Sequence, residues 1–517
     1  AFAGPDEPKP VETDTTASPW KLQIDLTVLQ LKNVHFLMQD DDAKSTTRAD
    51  IGTAETTLAK ADLENMYFEL DGFALADSDI RLIQTMDTPD DGEPAAPFGL
   101  LLKDGDIQRS HLVFSTPELG LDAALDKTTL DNLRIQSAND LMNIQAEGIE
   151  VENSAVAYRD PTVKPTPGHL NAGDLGLTRL NADLPQFSMQ NDTLFVQVES
   201  LSGNDKSGIQ VHSVSTIVQM TPREIQVRDA VASLNSTSLD GDILLVRRDS
   251  TFERMQVELR HVKGVVGDLL LLLPPLENQS VAQLRDMPYE ASGNLSGWLD
   301  NLRTDKIEFR AGSGTVAFFT GSLRQLTDPE KLGMHLNVTR LQTNRTDLVQ
   351  FMSLGDTPKD SILMQPLPAY VNASGTLDGA LSRLQLNLAG EVGALQTGSD
   401  FPADPNPPLQ FDLAGVITDA SDPDKLGMDL EIRKMEAPHA FFAFLEPKGL
   451  SLPDLLQVTG TLRGTLAALN TDLNVNALRD GITSKLTFKG LLNNVQTPDQ
   501  LGFDVAFDAS LARREIL

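Results

Sequence analysis

Cysteine is absent from the 517 residues of this chain. The sequence therefore excludes disulfides, thiolate nucleophiles and cysteine zinc sites, and it gives no positive indication of the redox compartment. Aromatic residues make up only 5% of the chain, so leucine, valine, isoleucine and alanine must supply most of its 40% hydrophobic content. This composition favours a thin, layered structure.

Positive charge is also scarce. The chain has 42 Lys and Arg residues against 74 Asp and Glu residues, which gives a formal net charge of −32. This sign is wrong for neutralising nucleic-acid phosphates, and it disfavours docking on anionic membrane surfaces through basic patches. The sequence therefore predicts no nucleic-acid partner.

Long hydrophobic runs are missing as well. The longest strongly apolar run, Leu269–Leu273, is far shorter than the roughly 20 residues that a membrane-spanning helix needs. The chain begins at Ala1 without a methionine and reaches Leu517 within a repeat. We therefore expect a portion of a longer protein, from which a signal peptide or membrane anchor has been removed.

Patterns that carry catalysis are not found in the sequence. The seven histidines are scattered singly, and there is no phosphate-binding glycine loop, dinucleotide fingerprint or Gly-x-Ser-x-Gly elbow. The acidic runs Asp40–Asp42 and Asp90–Asp91 lack the spacing of an EF-hand loop. The sequence thus predicts a protein that is not an enzyme, with no catalytic residue, metal site or cofactor.

What the chain does contain is alternation between apolar and polar residues. Residues 1–19 are rich in Pro, Asp, Glu and Thr and are interpreted as an acidic linker. From residue 20 the apolar residues recur with a period of two, which is typical of half-buried strands. We predict an irregular β region over residues 20–260 and a more regular one, with about three repeats, over residues 261–517. The first alternating positions are Leu22, Ile24, Leu26, Val34, Phe36 and Met38.

Two glycine-anchored motifs repeat in fixed order from about residue 290. One has the form Gly-x-Leu-x-Gly and begins at Gly293, Gly375 and Gly460. The other contains proline and ends in Leu–Gly, at Gly333, Gly427 and Gly502. Three copies with constant internal offsets indicate an array of supersecondary units.

A strand is predicted after each Leu–Gly pair. Its apolar residues fall on one face, and the intervening residues are mostly polar, so we expect the opposite face to be wet. The apolar positions are Met334, Leu336, Val338, Met428, Leu430, Ile432, Phe503, Val505 and Phe507.

Three short segments have a helical pattern: Asp268–Leu273, Asp347–Met352 and Ala440–Leu445. Asp268 and Asp347 are predicted as helix N-caps, because a short acidic side chain can accept a backbone hydrogen bond there.

The repeated apolar face leaves two arrangements open. It can pack against a second sheet, as in the commoner β-sandwich, or the sheet can curl into a trough with an apolar interior open to an elongated ligand. The alternation alone does not separate them.

Several segments resemble the TamB proteins of the AsmA-like superfamily, and the similarity extends over most of the chain from about Trp20. The segments that carry this resemblance are Leu22–Leu26, Leu31–Phe36, Leu201–Gly208, Ser233–Asp242 and Asp268–Pro275.

The resemblance implies a mainly β fold with a few short helices, in which an elongated, repeat-built sheet curls lengthwise into a β-taco groove. It further implies phospholipid transport through this hydrophobic groove between the inner and outer membranes of a diderm bacterium, without catalysis. The location would be the periplasm, with an inner-membrane anchor in the full-length protein. Phospholipid acyl chains and an outer-membrane β-barrel protein of the TamA type are the expected partners, and the apolar positions named above are the candidate groove lining.

Two other functions stay open. One is a periplasmic assembly factor whose sheet edges pair with outer-membrane β-barrel proteins. The other is a closed β-sandwich that acts as a stalk or adhesin.

Overall fold

The computed structural model describes residues 27–40, 44–62, 65–85, 97–138, 141–248, 251–272, 283–325, 332–352, 367–380, 382–396, 407–419, 425–442, 452–495 and 502–510. Within these residues the chain is mainly β, with 29 strands and three short helices. Of the strands, 27 belong to one sheet and two form a separate two-stranded ladder. The mainly β prediction is confirmed.

The irregular first part of the sheet contains fifteen strands. They are β1 Val28–Asp40, β2 Ser45–Asp62, β3 Tyr67–Ala76, β4 Asp79–Gln84, β5 Phe98–Ser115, β6 Gly120–Ala138, β7 Leu141–Ala146, β8 Gly148–Arg159, β9 Asp174–Leu184, β10 Gln186–Gln190, β11 Thr193–Asp205, β12 Gln210–Met220, β13 Glu224–Leu234, β14 Thr237–Arg248 and β15 Thr251–Val265.

The regular second part contains the remaining fourteen strands. They are β16 Pro288–Trp298, β17 Asn301–Ala311, β18 Thr315–Arg324, β19 Gly333–Asn344, β20 Leu367–Pro368, β21 Tyr370–Ala380, β22 Arg383–Val392, β23 Leu395–Gln396, β24 Leu409–Thr418, β25 Gly427–Pro438, β26 Leu455–Thr465, β27 Ala468–Arg479, β28 Ile482–Asn493 and β29 Gly502–Ser510. The helices are α1 Val266–Leu272, α2 Arg345–Met352 and α3 His439–Phe442.

The large sheet is a single ladder in which the strands follow chain order. Neighbours pair antiparallel, except that β3 and β4 both pair parallel with β5. In three places two short strands lie end to end on one rung: β3 with β4, β7 with β8, and β9 with β10. The 27 strands therefore make 24 rungs, which at about 4.8 Å per rung extend for about 110 Å. Strand β15 runs through residue 260, so the sheet continues from the first predicted region into the second.

The described residues contain little packing between layers. Clusters of buried apolar side chains occur at two places, one of Val349 with Leu367 and one around Leu409 and Ala437, while other buried apolar side chains such as Leu302 are spread along the sheet. Apart from the two-residue strands β20 and β23, the described chain holds no second sheet. Across its described extent the large sheet is therefore not paired with a second sheet of comparable size.

The three helices lie along one long edge of the sheet. They follow β15, β19 and β25, which run in the same direction because each is four rungs after the previous one. The helical segments predicted from sequence are confirmed where the structure describes them, although each begins one or two residues earlier. Leu273 of the first segment and residues 443–445 of the third lie outside the described residues. The N-cap prediction is wrong: Asp268 and Asp347 are the third residues of their helices, and Asn344 Oδ1 caps α2 by accepting the Asp347 N–H at 2.9 Å.

The two aspartates instead hold neighbouring hairpins. The Asp347 carboxylate accepts hydrogen bonds from Ser313 N at 2.8 Å, Gly314 N at 2.9 Å and Thr315 Oγ1 at 2.7 Å, all in the β17–β18 turn. Burial alone would raise the pKa of this carboxyl, but these bonds lower it below its ordinary value.

Asp268 makes the matching contacts to the β13–β14 turn. Its Oδ2 atom accepts hydrogen bonds from Ser236 N at 3.0 Å and from Thr237 Oγ1 at 2.8 Å. Helices α1 and α2 are thus tied to the hairpin that precedes them along this edge.

Candidate functional site: the apolar face of the sheet

The two repeated motifs are cross-strand partners. In β19 and β21, Leu336 lies opposite Leu377, while Val338 and Met334 lie opposite Gly375 and Gly379. The next copies repeat this register, because Leu430 pairs with Leu462 while Ile432 and Met428 face glycines. At these pairs a large apolar side chain therefore lies opposite a glycine on the same face of the sheet.

The predicted positions of the second part fall into three rows that cross the strands on this face. The first row contains Gly293, Ile307, Phe319, Val338, Gly375, Leu388, Leu413, Ile432, Gly460, Leu473, Phe488 and Phe507. The second contains Thr304, Gly321, Leu336, Leu377, Leu386, Gly415, Leu430, Leu462, Thr471, Gly490 and Val505. The third contains Gly297, Leu302, Leu323, Met334, Gly379, Leu384, Ile417, Met428, Gly464, Leu469, Leu492 and Phe503.

Burial separates the two faces of these strands. Val338 and Ile432 are 9% and 4% exposed, and Met334, Leu336, Met428, Leu430 and Val505 are half-buried. The residues between them, such as His335, Asn337 and Glu431, are exposed. Phe503 and Phe507 are 70% and 72% exposed because β29 is the last described rung and has a neighbour on one side only.

The predicted positions of the first part that the structure describes also start apolar rows. Val34 is half-buried opposite Ile51, while Phe36 and Met38 are exposed on the first described rung. Leu22, Ile24 and Leu26 lie outside the described residues. The row from Phe36 contains Phe36, Ala49, Ile80, Leu112, Ala123, Val156 and Leu177, and the row from Met38 contains Met38, Thr47, Leu82, Phe114, Leu121, Tyr158 and Leu175.

One row crosses all 24 rungs, and we call it the continuous row. Only Thr128 and Gly390 in it lack an apolar side chain. It contains Leu31, Ala54, Leu75, Ile107, Thr128, Val151, Ala182, Leu201, Val214, Ala232, Leu239, Val262, Ala291, Phe309, Ala317, Leu341, Ala373, Gly390, Phe411, Met435, Val458, Val475, Leu486 and Ala509. Sequence reasoning missed this row, because its members are recognisable only once the register of every strand pair is known.

A line of backbone irregularities runs beside the continuous row, and we call it the bulge line. Its members in the first part are non-glycine residues with positive φ inside strands or between collinear strands: Asn33, Asp77, Arg109, Asn153, Arg179 and Asp229. Register shifts continue the line, for example between Val338 and Leu341 in β19 and between Ile432 and Met435 in β25.

The bulge line changes the period of the apolar pattern. Val338 and Leu341 are three residues apart, yet they pair with Gly375 and Ala373, which are two apart and share a face. The bulge in β19 therefore keeps the apolar residues before and after it on the same face, and a bulge bends its strand locally.

Buried serines stabilise the bulge line in the first part. The Oγ atoms of Ser78, Ser110 and Ser154 each donate to the carbonyl two residues earlier, at 2.8–2.9 Å. Ser154 Oγ also accepts the N–H of Asp126 at 3.0 Å, and it is only 1% exposed. These hydroxyls satisfy backbone groups that the interrupted ladder leaves without a strand partner.

The opposite face carries charge pairs between strands. Arg463 and Lys489 lie 2.9 Å and 2.8 Å from carboxylate oxygens of Asp429 and Asp472. No group of three or more potential metal-ligating side chains occurs among the residues that the structure describes. None of the described helices has the length and apolar character needed to span a membrane.

No protein-family model matches this chain, and neither the curated proteins nor the solved structures contain a match to it.

Proposed function

We propose that this chain moves phospholipids between the inner and outer membranes of a diderm bacterium, by letting their acyl chains slide along a hydrophobic groove. The observation that supports this function best is the continuous row, which crosses all 24 rungs and presents an apolar side chain on every rung except those of Thr128 and Gly390. An acyl chain requires such a track and needs no specific polar partner, since each buried methylene contributes about 0.8 kcal/mol. Many similar weak contacts would bind the acyl chain without fixing its position along the groove.

The groove itself is part of the proposal. The line of bulges, which crosses the first part and recurs in the second at strands such as β19 and β25, would bend the sheet lengthwise, with the apolar rows on both arms of the bend. The burial of Leu302, Ile432 and Leu386, which are 0%, 4% and 7% exposed, supports this curvature, because the only other sheet of the described chain is the two-residue ladder of β20 and β23. The estimated length of about 110 Å suits an aqueous gap between two membranes.

One variant pair on β19 tests the proposal. Leu336→Asp places a charge in the apolar row, whereas Asn337→Asp places the same charge on the neighbouring exposed position. We expect the first variant to lose most of the phospholipid that co-purifies with the wild type, measured by mass spectrometry after organic extraction, because a charge desolvated by acyl chains is costly. The second variant is expected to retain it.

Circular dichroism would establish that both variants keep their strand content. Equal phospholipid in folded Leu336→Asp and Asn337→Asp proteins, or none in the wild type, would contradict transport along this face. Unfolding of Leu336→Asp alone would instead favour a closed sandwich, in which the same position is sealed.

A further inference from the structure

The polar face carries a depression of about 770 Å³ across β14 to β17. It lies close to the long edge opposite the helices, because Trp298 ends β16 and Asn301 begins β17 at the turn there. Its side chains include both signs of charge, neutral hydrogen-bonding groups and an indole: Arg254, Gln256, Glu258, Ser296, Trp298, Asn301, Arg303 and Asp305.

Among the described residues, the four charged side chains of this depression have no ion-pair partner. Arg254, Arg303, Glu258 and Asp305 are exposed, and none lies within salt-bridge distance of an opposite charge among the described residues. Nearby strands behave differently: Arg260 bonds to Asp240 at 2.6 Å on the same face. Two cations and two anions that share a depression without pairing leave space between them for a ligand.

Trp298 gives the depression a rigid wall. It is 50% exposed, and the guanidinium carbon of Arg254 lies 5.6 Å from its ring centroid. A guanidinium held against an aromatic ring keeps its N–H donors available for an anion, and its planar fork fits a phosphate group. The amides of Gln256 and Asn301 and the hydroxyl of Ser296 add uncharged hydrogen-bonding groups beside it.

The charges are arranged along the strands. Arg254 lies near the start of β15 and Glu258 four residues further along, whereas Arg303 and Asp305 follow the same order from the turn into β17. The arginines therefore lie nearer the sheet edge, and the carboxylates lie further from it. This order fits a ligand with an anionic group and a cationic group a few ångströms apart.

We propose that the depression binds the headgroup of a zwitterionic phospholipid, with its phosphate at Arg254 and Arg303 and its ammonium group at Glu258 and Asp305. This inference rests on the proposed function. A lipid whose acyl chains lie on the apolar face places its headgroup in the depression only when the headgroup turns over the adjacent sheet edge. It names the class of lipid that the groove carries: a diester phosphate linked to a primary ammonium, as in an ethanolamine headgroup.

The chain offers a direct reporter, because Trp20 and Trp298 are its only tryptophans. In a delipidated Trp20→Phe protein, all indole emission comes from Trp298. We expect titration with glycerophosphoethanolamine to change this emission saturably, and Arg303→Gln to weaken the binding at least tenfold through loss of a charge-assisted hydrogen bond. Arg340→Gln, an exposed arginine of β19 away from the depression, is the matched control and should leave the binding unchanged.

Glycerophosphoglycerol and inorganic phosphate test the zwitterion. Both should bind more weakly than glycerophosphoethanolamine, and Glu258→Gln should reduce that difference. Equal binding of the three probes, equal weakening by Arg303→Gln and Arg340→Gln, or no saturable change in the millimolar range would overturn the headgroup site.

Phospholipid extraction from the undelipidated protein separates this inference from transport. Bound phospholipid without any response of Trp298 to the headgroup would refute the depression and leave transport standing. A headgroup response in a protein that never holds phospholipid would support the depression and contradict transport.

Discussion

The two parts of the sheet place their positive φ angles differently, on the bulge line in the first part and in the apolar rows in the second. In the first part, non-glycine residues with φ between 42° and 53° occupy the bulge line, and buried serines bond to the interrupted ladder. In the second part, glycines with φ between 118° and 157° recur in the three apolar rows beside it. A positive φ is thus accommodated either by an αL residue with a supporting hydroxyl or by glycines that admit a close approach of the next strand.

This difference explains why only the second part has a readable repeat. At Gly375, an added Cβ would lie 1.9 Å from the carbonyl oxygen of Asn387, so no other residue fits. In the first part, Asn, Asp and Arg all occupy the bulge line, because a moderate positive φ is open to several residue types when polar contacts support it. The glycine positions therefore leave a readable pattern in the second part, whereas the bulge line leaves a loose one in the first.

The largest effect is expected from Gly375→Ala. The new methyl group would collide with the Asn387 carbonyl while φ is +143°, and we expect a loss of about 2–4 kcal/mol in unfolding free energy. Gly72→Ala is the matched control, because the added Cβ has no neighbour within 4 Å and Gly72 has no positive φ. The midpoint of urea unfolding should fall strongly for Gly375→Ala and change little for Gly72→Ala. Similar midpoints would mean that the glycines do not set the register of these strands.

A smaller effect is expected in the first part from Ser154→Ala. The change removes the acceptor of the Asp126 N–H in a partly buried hydrogen bond, and the loss of such a bond costs about 0.5–1.5 kcal/mol. Ser213→Ala on β12 is the control, because Ser213 is exposed. Hydrogen exchange should accelerate at Asp126 in the first variant only. Unchanged protection there would show that the serine is not needed at the bulge line.

The smallest effect concerns His111, on the polar face of the first part. A hydrogen bond to Asp122 raises the pKa of His111, which lies 2.8 Å from that carboxylate, while partial burial opposes the shift and Asp79 adds to it. A hydrogen bond from Arg81 lowers the pKa of Asp79 to about 2. The contribution of His111 to the free energy of unfolding is fully present below its unfolded pKa of 6.5, and it is lost as the pH rises through the folded pKa. The contribution of Asp79 to the free energy of unfolding is present above its unfolded pKa of 3.8, and it is lost as the pH falls towards its folded pKa of about 2.

His111→Gln should therefore lower stability by about 0.2–1 kcal/mol at pH 5 and hardly at all at pH 9. Urea midpoints at the two pH values measure this difference. The Asp122→Asn background is the control, since it removes the first cause of the shift. An equal loss at both pH values would point to packing rather than charge.

Much of the second part could be predicted from sequence. The alternation after Gly333 and Gly427 identified Leu336 and Leu430 correctly as residues of a half-buried face opposite an exposed polar one. The Leu–Gly strands and the Gly-x-Leu-x-Gly strands were not recognised as partners, because antiparallel register is a long-range property that neither motif encodes alone. The roles of Asp268 and Asp347 were missed for the same reason, since the turns they bind lie more than 30 residues away.

The first part was less predictable. Val34, Phe36 and Met38 were assigned to one strand, but the continuation of their rows through Ile80 and Leu112 required the parallel step between β4 and β5. A residue such as Asn33, whose positive φ interrupts the period, looks in the sequence like any polar strand residue. The bulge line could therefore not be inferred from composition or alternation.

The bulge line also has a mechanical consequence. A flat single layer about 110 Å long has hydrogen bonds only between neighbouring strands and offers little resistance to bending out of its plane. If each strand bends at the line, as in the proposed groove, the layer acquires depth perpendicular to its length. This added depth makes the layer stiffer against bending along its length. The same row of irregular residues that shapes the apolar track would let one thin sheet keep its ends apart without a second layer to brace it.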